Sequence, residues 1–147
     1  MNKTLIFSAT YNESKNISKL IKGIIQLRQK IDLLIVDDNS PDGTSKIIEK
    51  FSKKYKNIIL KKRTGKLGLN TAHIYGYNYA LKNKYKKLIT MDADLSHDPK
   101  EIPKIINLLD KDSFVIGSRY IKGGKNGMEG FRLLLSISGN KIIKYVL

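Results

Sequence analysis

Short apolar runs alternate with stretches of helical periodicity along most of the chain, and no other feature limits its fold more. "TLIFSA" (4–9) has the length and composition of a buried strand. After Asn12, read as an N-cap, Ile17, Leu20, Ile21, Ile24 and Ile25 fall on one helical face. "DLLIVDD" (32–38) gives a second strand, and "NSPDGT" a turn with Pro and Gly where φ must be fixed or freed. Ile47, Ile48, Phe51 and Tyr55 mark a second helix, "NIILKK" (57–62) a third strand, and "GLNTAHIYGYNYALKN" a third helix interrupted by Gly76. "KKLIT" is a fourth strand, Ile102, Ile105, Ile106 and Leu109 a further helical face, and "SFVIGS" (113–118) a fifth strand. This β-α-β-α-β-α-β-α-β order predicts an α/β fold: a Rossmann-like, mostly parallel sheet with helices on both faces. With 147 residues, 41% of them hydrophobic, the chain can bury a real core.

Open parallel sheets bind ligands at the carboxyl ends of their strands. The unusual polar stretches lie there: "TYNE" after the first strand, "DDNSPDG" after the second, "DAD" after the fourth and "GSRY" after the fifth. Neither G-x-x-x-x-G-K-[ST] nor a G-x-G-x-x-G after the first strand occurs. A nucleotide bound here would be held by side chains and a metal rather than by a glycine-lined loop.

In "LITMDADLSHDPKEIP" (88–103) a basic chain gathers carboxylates. Residues two apart on an extended segment point to the same side, so Asp92 and Asp94 can converge on one ion. Two hard oxygen ligands, with room for water and phosphate oxygens, suit Mg²⁺ or Mn²⁺. Asp98 reads instead as a cap, with Pro99 at N1 and Glu101 at N3.

"TYNE", "VDDNSPDGT", "GKLGLNTA", "MDADLSHDP" and "GSRY" stand in the order and approximate spacing of inverting family 2 glycosyltransferases of the GT-A fold. The chain most resembles the dolichol- or polyprenol-phosphate mannose synthases, from about Thr4 to at least Gly124. The resemblance implies that Thr10, Tyr11 and Glu13 lie around the base and ribose of a nucleotide-sugar, and that Asp38 reads the base. Asp37 would orient the turn. Lys66 would lie near the diphosphate. Asp92 and Asp94 would hold the metal, with Ser96 where many relatives carry Gln. Arg119 would clamp phosphate through its planar guanidinium fork, and Arg132 would supply a second phosphate contact. Asp94 and Arg119 are the expected catalytic residues.

The implied reaction moves mannose from GDP-mannose to a polyprenyl or dolichyl phosphate with inversion, assisted by a divalent cation. A phosphate monoester has a second pKa of about 6, so the acceptor is already a nucleophile at pH 7 and no base is nominated. Of the two histidines, His73 is expected to pack within a helix and His97 to stand beside the metal ligands. Three departures from the family pattern stand out: Ala9 replaces a proline with little expected effect, while Ile137 for arginine and an end at Leu147 where relatives continue bear on the acceptor side. The alternatives are a UDP-sugar or another acceptor, and a truncated non-catalytic nucleotide-binding domain.

Two segments are expected: a nucleotide-sugar-binding domain over 1–127, and an amphipathic C-terminal helix over 128–147 that packs on it or lies at a membrane surface. The net charge of +15 favours anionic partners. No nucleic-acid-binding module is recognisable, so nucleic acid is not an expected partner. Without cysteine, disulfides and thiolate metal sites are excluded. No secretory signal and no apolar run of spanning length appear, which predicts a cytoplasmic protein, or one peripheral on the cytoplasmic face of a membrane.

Overall fold

The structure is a computed structural model, which describes residues 4–109, 114–117, 130, 136 and 138. The chain divides into two compact units, Met1–Val115 and Ile116–Leu147. In the first, four parallel strands stand in the order β3-β2-β1-β4: β1 (Thr4–Thr10), β2 (Ile31–Asp37), β3 (Ile58–Lys62) and β4 (Lys87–Thr90). β1 is central, pairing Thr4 with Ile31 on one side and with Lys87 on the other.

Helices α1 (Ile17–Gln26), α2 (Thr44–Lys54), α3 (Leu69–Lys82) and α4 (Ile102–Leu109) connect or follow the strands. They divide the core into two layers. Ile6, Leu33, Ile35 and Ile89 of the sheet meet Leu20, Ile21 and Ile24 of α1, Ile48 of α2 and Ile102 of α4. Leu5, Phe7, Leu34 and Val36 point the other way, onto Ala72 and Ala80 of α3. The central strands are thus buried on both faces, which is why they read as continuous apolar runs rather than as alternations. Burying side chains such as Leu20 or Ile48 contributes about 1.5–3 kcal/mol each.

Gly76 lies buried in α3, and a Cβ there would stand 2.5 Å from Cδ2 of Phe7. The residue that weakens the helical pattern is what lets α3 approach the sheet. His73 packs as expected, edge-on to Phe7 at 5.1 Å between ring centroids.

Two sequence expectations are corrected. The N-cap position of α1 is Asn16, not Asn12. Asn12 has φ +62°, a left-handed turn residue that redirects the chain four residues before the N-cap. The fifth strand is absent over 114–117, where Phe114 and Ile116 are 77% and 72% exposed. An apolar run forms a strand only where a ladder partner and a core receive it, and these side chains have no such burial.

Candidate functional site

The chain steps outward from β1 to β2 to β3 and then returns to the other side of β1 with β4. Strand order reverses between β1 and β4, and the crevice at such a reversal is where open sheets hold ligands. The residues after β1 and after β4 therefore share one rim.

The loop after β1 is held by the loop after β2. Asn12 N–H donates to Ser40 Oγ (3.0 Å), Glu13 N–H to Thr44 Oγ1 (2.9 Å) and Ser14 N–H to an Asp42 oxygen (2.9 Å). The acceptors are themselves fixed. Fully buried Asp37 accepts from the hydroxyls of Thr10 (2.9 Å), Ser40 (2.6 Å) and Ser45 and from Ser40 N–H (3.0 Å). Asp42 accepts from Thr44 N–H (3.0 Å) and Thr44 Oγ1–H (2.6 Å) at the start of α2. Burial acts to raise the Asp42 pKa, but the bonds from Thr44 and Ser14 outweigh it and hold the carboxyl well below the usual range. Thr10 thus gives its hydroxyl to the scaffold, and Asp37 orients the turn.

Asp38, also buried, is tied to the loop after β3. One of its oxygens meets Nε and Nη2 of Arg63; the other accepts from Leu67 N–H (3.0 Å) and Gly68 N–H (3.3 Å). Four donors match the roughly four lone-pair positions of a carboxylate. A base read by Asp38 would have to exchange with these partners. Arg63 further donates to Thr71 Oγ1 (2.6 Å) and to the Gly68 carbonyl (3.0 Å). The loop so held carries Lys66, whose Nζ stands 4.3 Å from the ring centroid of Tyr11, itself 39% exposed. Glu13, partly buried, accepts from Asn16 Nδ2 (2.9 Å). Tyr11 and Lys66 therefore form one exposed wall, while Thr10 and Asp38 work behind it.

Across the reversal, Asp92 and Asp94 follow β4 and are both exposed. Ser96 N–H donates to Asp94 Oδ1 (2.9 Å) across Leu95, whose φ of +66° closes the turn at a conformational cost of roughly 1–2 kcal/mol. The backbone and hydroxyl of Ser96 lower the Asp94 pKa against the opposing effect of burial. His97 Nδ1 accepts the N–H of Asp92 (3.1 Å), which puts its ring proton on Nε2. Among the described residues no group of three or more His, Cys, Asp or Glu could hold a metal. Two carboxylates alone still suit a cation that takes its remaining ligands from water and phosphate oxygens. Asp98 accepts from Lys100 N–H (2.9 Å) and caps a 3-10 turn, Pro99–Glu101, as its sequence context predicts. Arg119 and Arg132 lie outside the described residues.

Residues that carry the site but escape sequence reading are Ser40, Asp42, Thr44, Ser45 and Arg63. The Asp42–Thr44 spacing is a turn signal that could have found that pair. Arg63 gives none, being one basic residue among 28.

The fold is that of an α/β domain of the GT-A type. A family model for glycosyl transferase family 2 matches residues 6–144, and the chain belongs to that family. It is 32% identical over 148 residues to a polyprenol monophosphomannose synthase of Mycolicibacterium smegmatis, covering 99% of this chain and 56% of the relative. It is 38% identical over 126 residues to a dolichol-phosphate mannosyltransferase of Pyrococcus furiosus, covering 84% of this chain and 35% of that one. The chain thus spans about half the length, or less, of these curated relatives. The crystal structure of S. aureus TarS (1–349) superposes with a TM-score of 0.55 at 23% identity, covering 74% of this chain and 32% of that chain, a likeness of fold.

Proposed function

We propose that this chain is a mannosyltransferase that takes GDP-mannose and a divalent cation, Mg²⁺ or Mn²⁺, and passes mannose to a polyprenyl or dolichyl phosphate with inversion. The observation that carries the reading is the pair of exposed carboxylates, Asp92 and Asp94, at the strand-order reversal opposite Tyr11. The names of the relatives supply the sugar and the lipid class.

Asp92 and Asp94 would hold the cation, with Ser96 fixing Asp94 in its ionised form. The cation, when bound, neutralises charge on the departing nucleoside diphosphate. Tyr11 offers a face against which a base can stack, and Lys66 beside it offers a charge to the diphosphate. Glu13, on the same loop as Tyr11, is proposed to contact the ribose. Arg119 and Arg132 are proposed to clamp phosphate. An acceptor phosphate oxygen attacks the anomeric carbon as the bond to the diphosphate breaks, and needs no base when dianionic. Residues 128–147 are proposed as an amphipathic element at a membrane surface.

Transfer of labelled mannose from GDP-mannose to polyprenyl phosphate in liposomes, with Mn²⁺ and an Asp94→Asn control, tests the reading. Organic-soluble label that vanishes in the variant is expected. Equal thermal shifts with GDP and UDP would remove the guanine assignment. Donor binding without label would reduce the chain to a nucleotide-binding domain.

A further inference from the structure

Helix α3 carries no Asp, Glu, Lys or Arg from Leu69 to Leu81, in a chain with 28 Lys+Arg and 13 Asp+Glu. Its inner face is explained: Ala72, Gly76 and Ala80 are buried against the sheet. Its outer face is not. Ile74, Tyr77 and Leu81, spaced i, i+3, i+7, are 58%, 45% and 77% exposed. The uncharged Asn70 and Asn78 share this face, and Leu67 and Leu69, 54% and 59% exposed, lie at its N-terminal end, next in the chain to Lys66, which meets Tyr11. Past the other end stand Lys82, Lys84 and Lys86, all exposed. Scattered exposed apolar residues need no explanation, but a solvated helix face is ordinarily polar or charged, and this one is an uncharged stripe ending in lysines.

We infer that the outer face of α3 docks on an anionic lipid bilayer. Ile74, Tyr77 and Leu81 enter the boundary between headgroups and acyl chains, while Lys82, Lys84 and Lys86 meet anionic headgroups. Tyrosine suits that depth, with an apolar ring and a polar tip. Charge decides for lipid over a second copy of the chain. Pairing α3 with itself would press like-charged lysine clusters together in a molecule already at +15. No helix among the described residues is long and apolar enough to cross a membrane, so the contact is one of surface attachment. Because the stripe begins at the strand-end rim, docking would set that rim close to the headgroups.

Flotation of the full chain with vesicles of phosphatidylglycerol and phosphatidylcholine, against vesicles of phosphatidylcholine alone, tests this without reference to the proposed reaction. The wild type should float with the anionic vesicles only, and added salt should release it. Ile74→Glu/Leu81→Glu, and the milder Leu81→Gln should the double variant fold poorly, should keep donor-induced thermal shifts. The double variant should partition at least about tenfold less. Lys82→Glu/Lys84→Glu/Lys86→Glu should float no better on anionic than on neutral vesicles. The inference is overturned if the wild type does not float, or if the α3 variants float as it does, which would place attachment elsewhere in the chain. A wild-type dimer in sedimentation that the double variant dissociates, without vesicle binding, would assign the stripe to a second copy instead.

Discussion

Two aspartates side by side, Asp37 and Asp38, show how far residue type alone carries. Both were legible as strand-end carboxylates, and Asp37 as the one that orients the turn. That Asp38 faces four donors of the 63–68 loop was not, because its main partner, Arg63, lies 25 residues away with no signature of its own. The side chains of this pair are only 7% and 9% exposed, so removing one partner leaves a buried, unpaired charge. Arg63→Ala should therefore cost about 3 kcal/mol or more in urea unfolding, and Arg63→Lys should recover only part, since ammonium cannot reproduce the fork. Donor affinity should fall in both, because Lys66 loses its place over Tyr11; unchanged affinity would separate the loop from the site. Asp94→Asn makes the opposite expectation. Asp94 is exposed and its bond from Ser96 survives in the amide, so the melting temperature should stay within about a degree or two, the change being a surface one. Mn²⁺-dependent GDP affinity, measured by calorimetry, should drop at least about tenfold. Equal affinities with and without the substitution would move the metal elsewhere.

Elements were the most legible scale, since burial on both faces of the sheet writes long apolar runs into β1 and β2 and a 3.6 period into α1 and α2. What failed were features set by neighbours in space. Asn12 looks like a cap, but its N–H is held by Ser40 and its backbone turns left-handed. The apolar run at 114–117 looks like a strand but stays exposed. Gly76 looks like a defect in α3, and its reason is Phe7 on the next layer. This last case can be decided experimentally. Alanine at 76 gains about 1 kcal/mol of helix propensity, yet its methyl would meet the Phe7 ring, and overpacking costs typically about 1–3 kcal/mol. Gly76→Ala should therefore lower stability despite the better helix former, and Phe7→Leu in the same chain should restore part of the loss. Additive losses in the double variant would mean that the two positions do not touch.

At the scale of the whole molecule, the sequence shows a charge of +15 but not where the negative charges are used. The structure shows them working as acceptors: Asp37, Asp38 and Asp42 hold the loops that make one rim from three strand ends. This ties stability to pH with a definite sign. The folded pKa values of Asp42 and Asp94 are lowered, for Asp42 against the effect of burial and by bonds from Thr44 and Ser14, for Asp94 by Ser96. An aspartate titrates near 3.9 in the unfolded chain. Each of the two therefore contributes stability that is fully present above about pH 4 and is lost as pH falls through the folded value. Protonating the 13 acidic residues over the same range leaves the 28 cations unopposed, which adds self-repulsion in the compact state. Urea midpoints should accordingly change little from pH 7 to 5 and fall steeply below pH 4. Asp42→Asn should lower the midpoint at pH 7 and flatten the acid limb, because the amide keeps an acceptor but has no proton to gain. Salt separates the two causes: at pH 3.5, raising ionic strength tenfold should recover the part due to long-range repulsion, and leave the difference between wild type and Asp42→Asn in place. If salt abolished that difference, the local bonds of Asp42 would count for nothing, and acid sensitivity would be a property of the net charge alone.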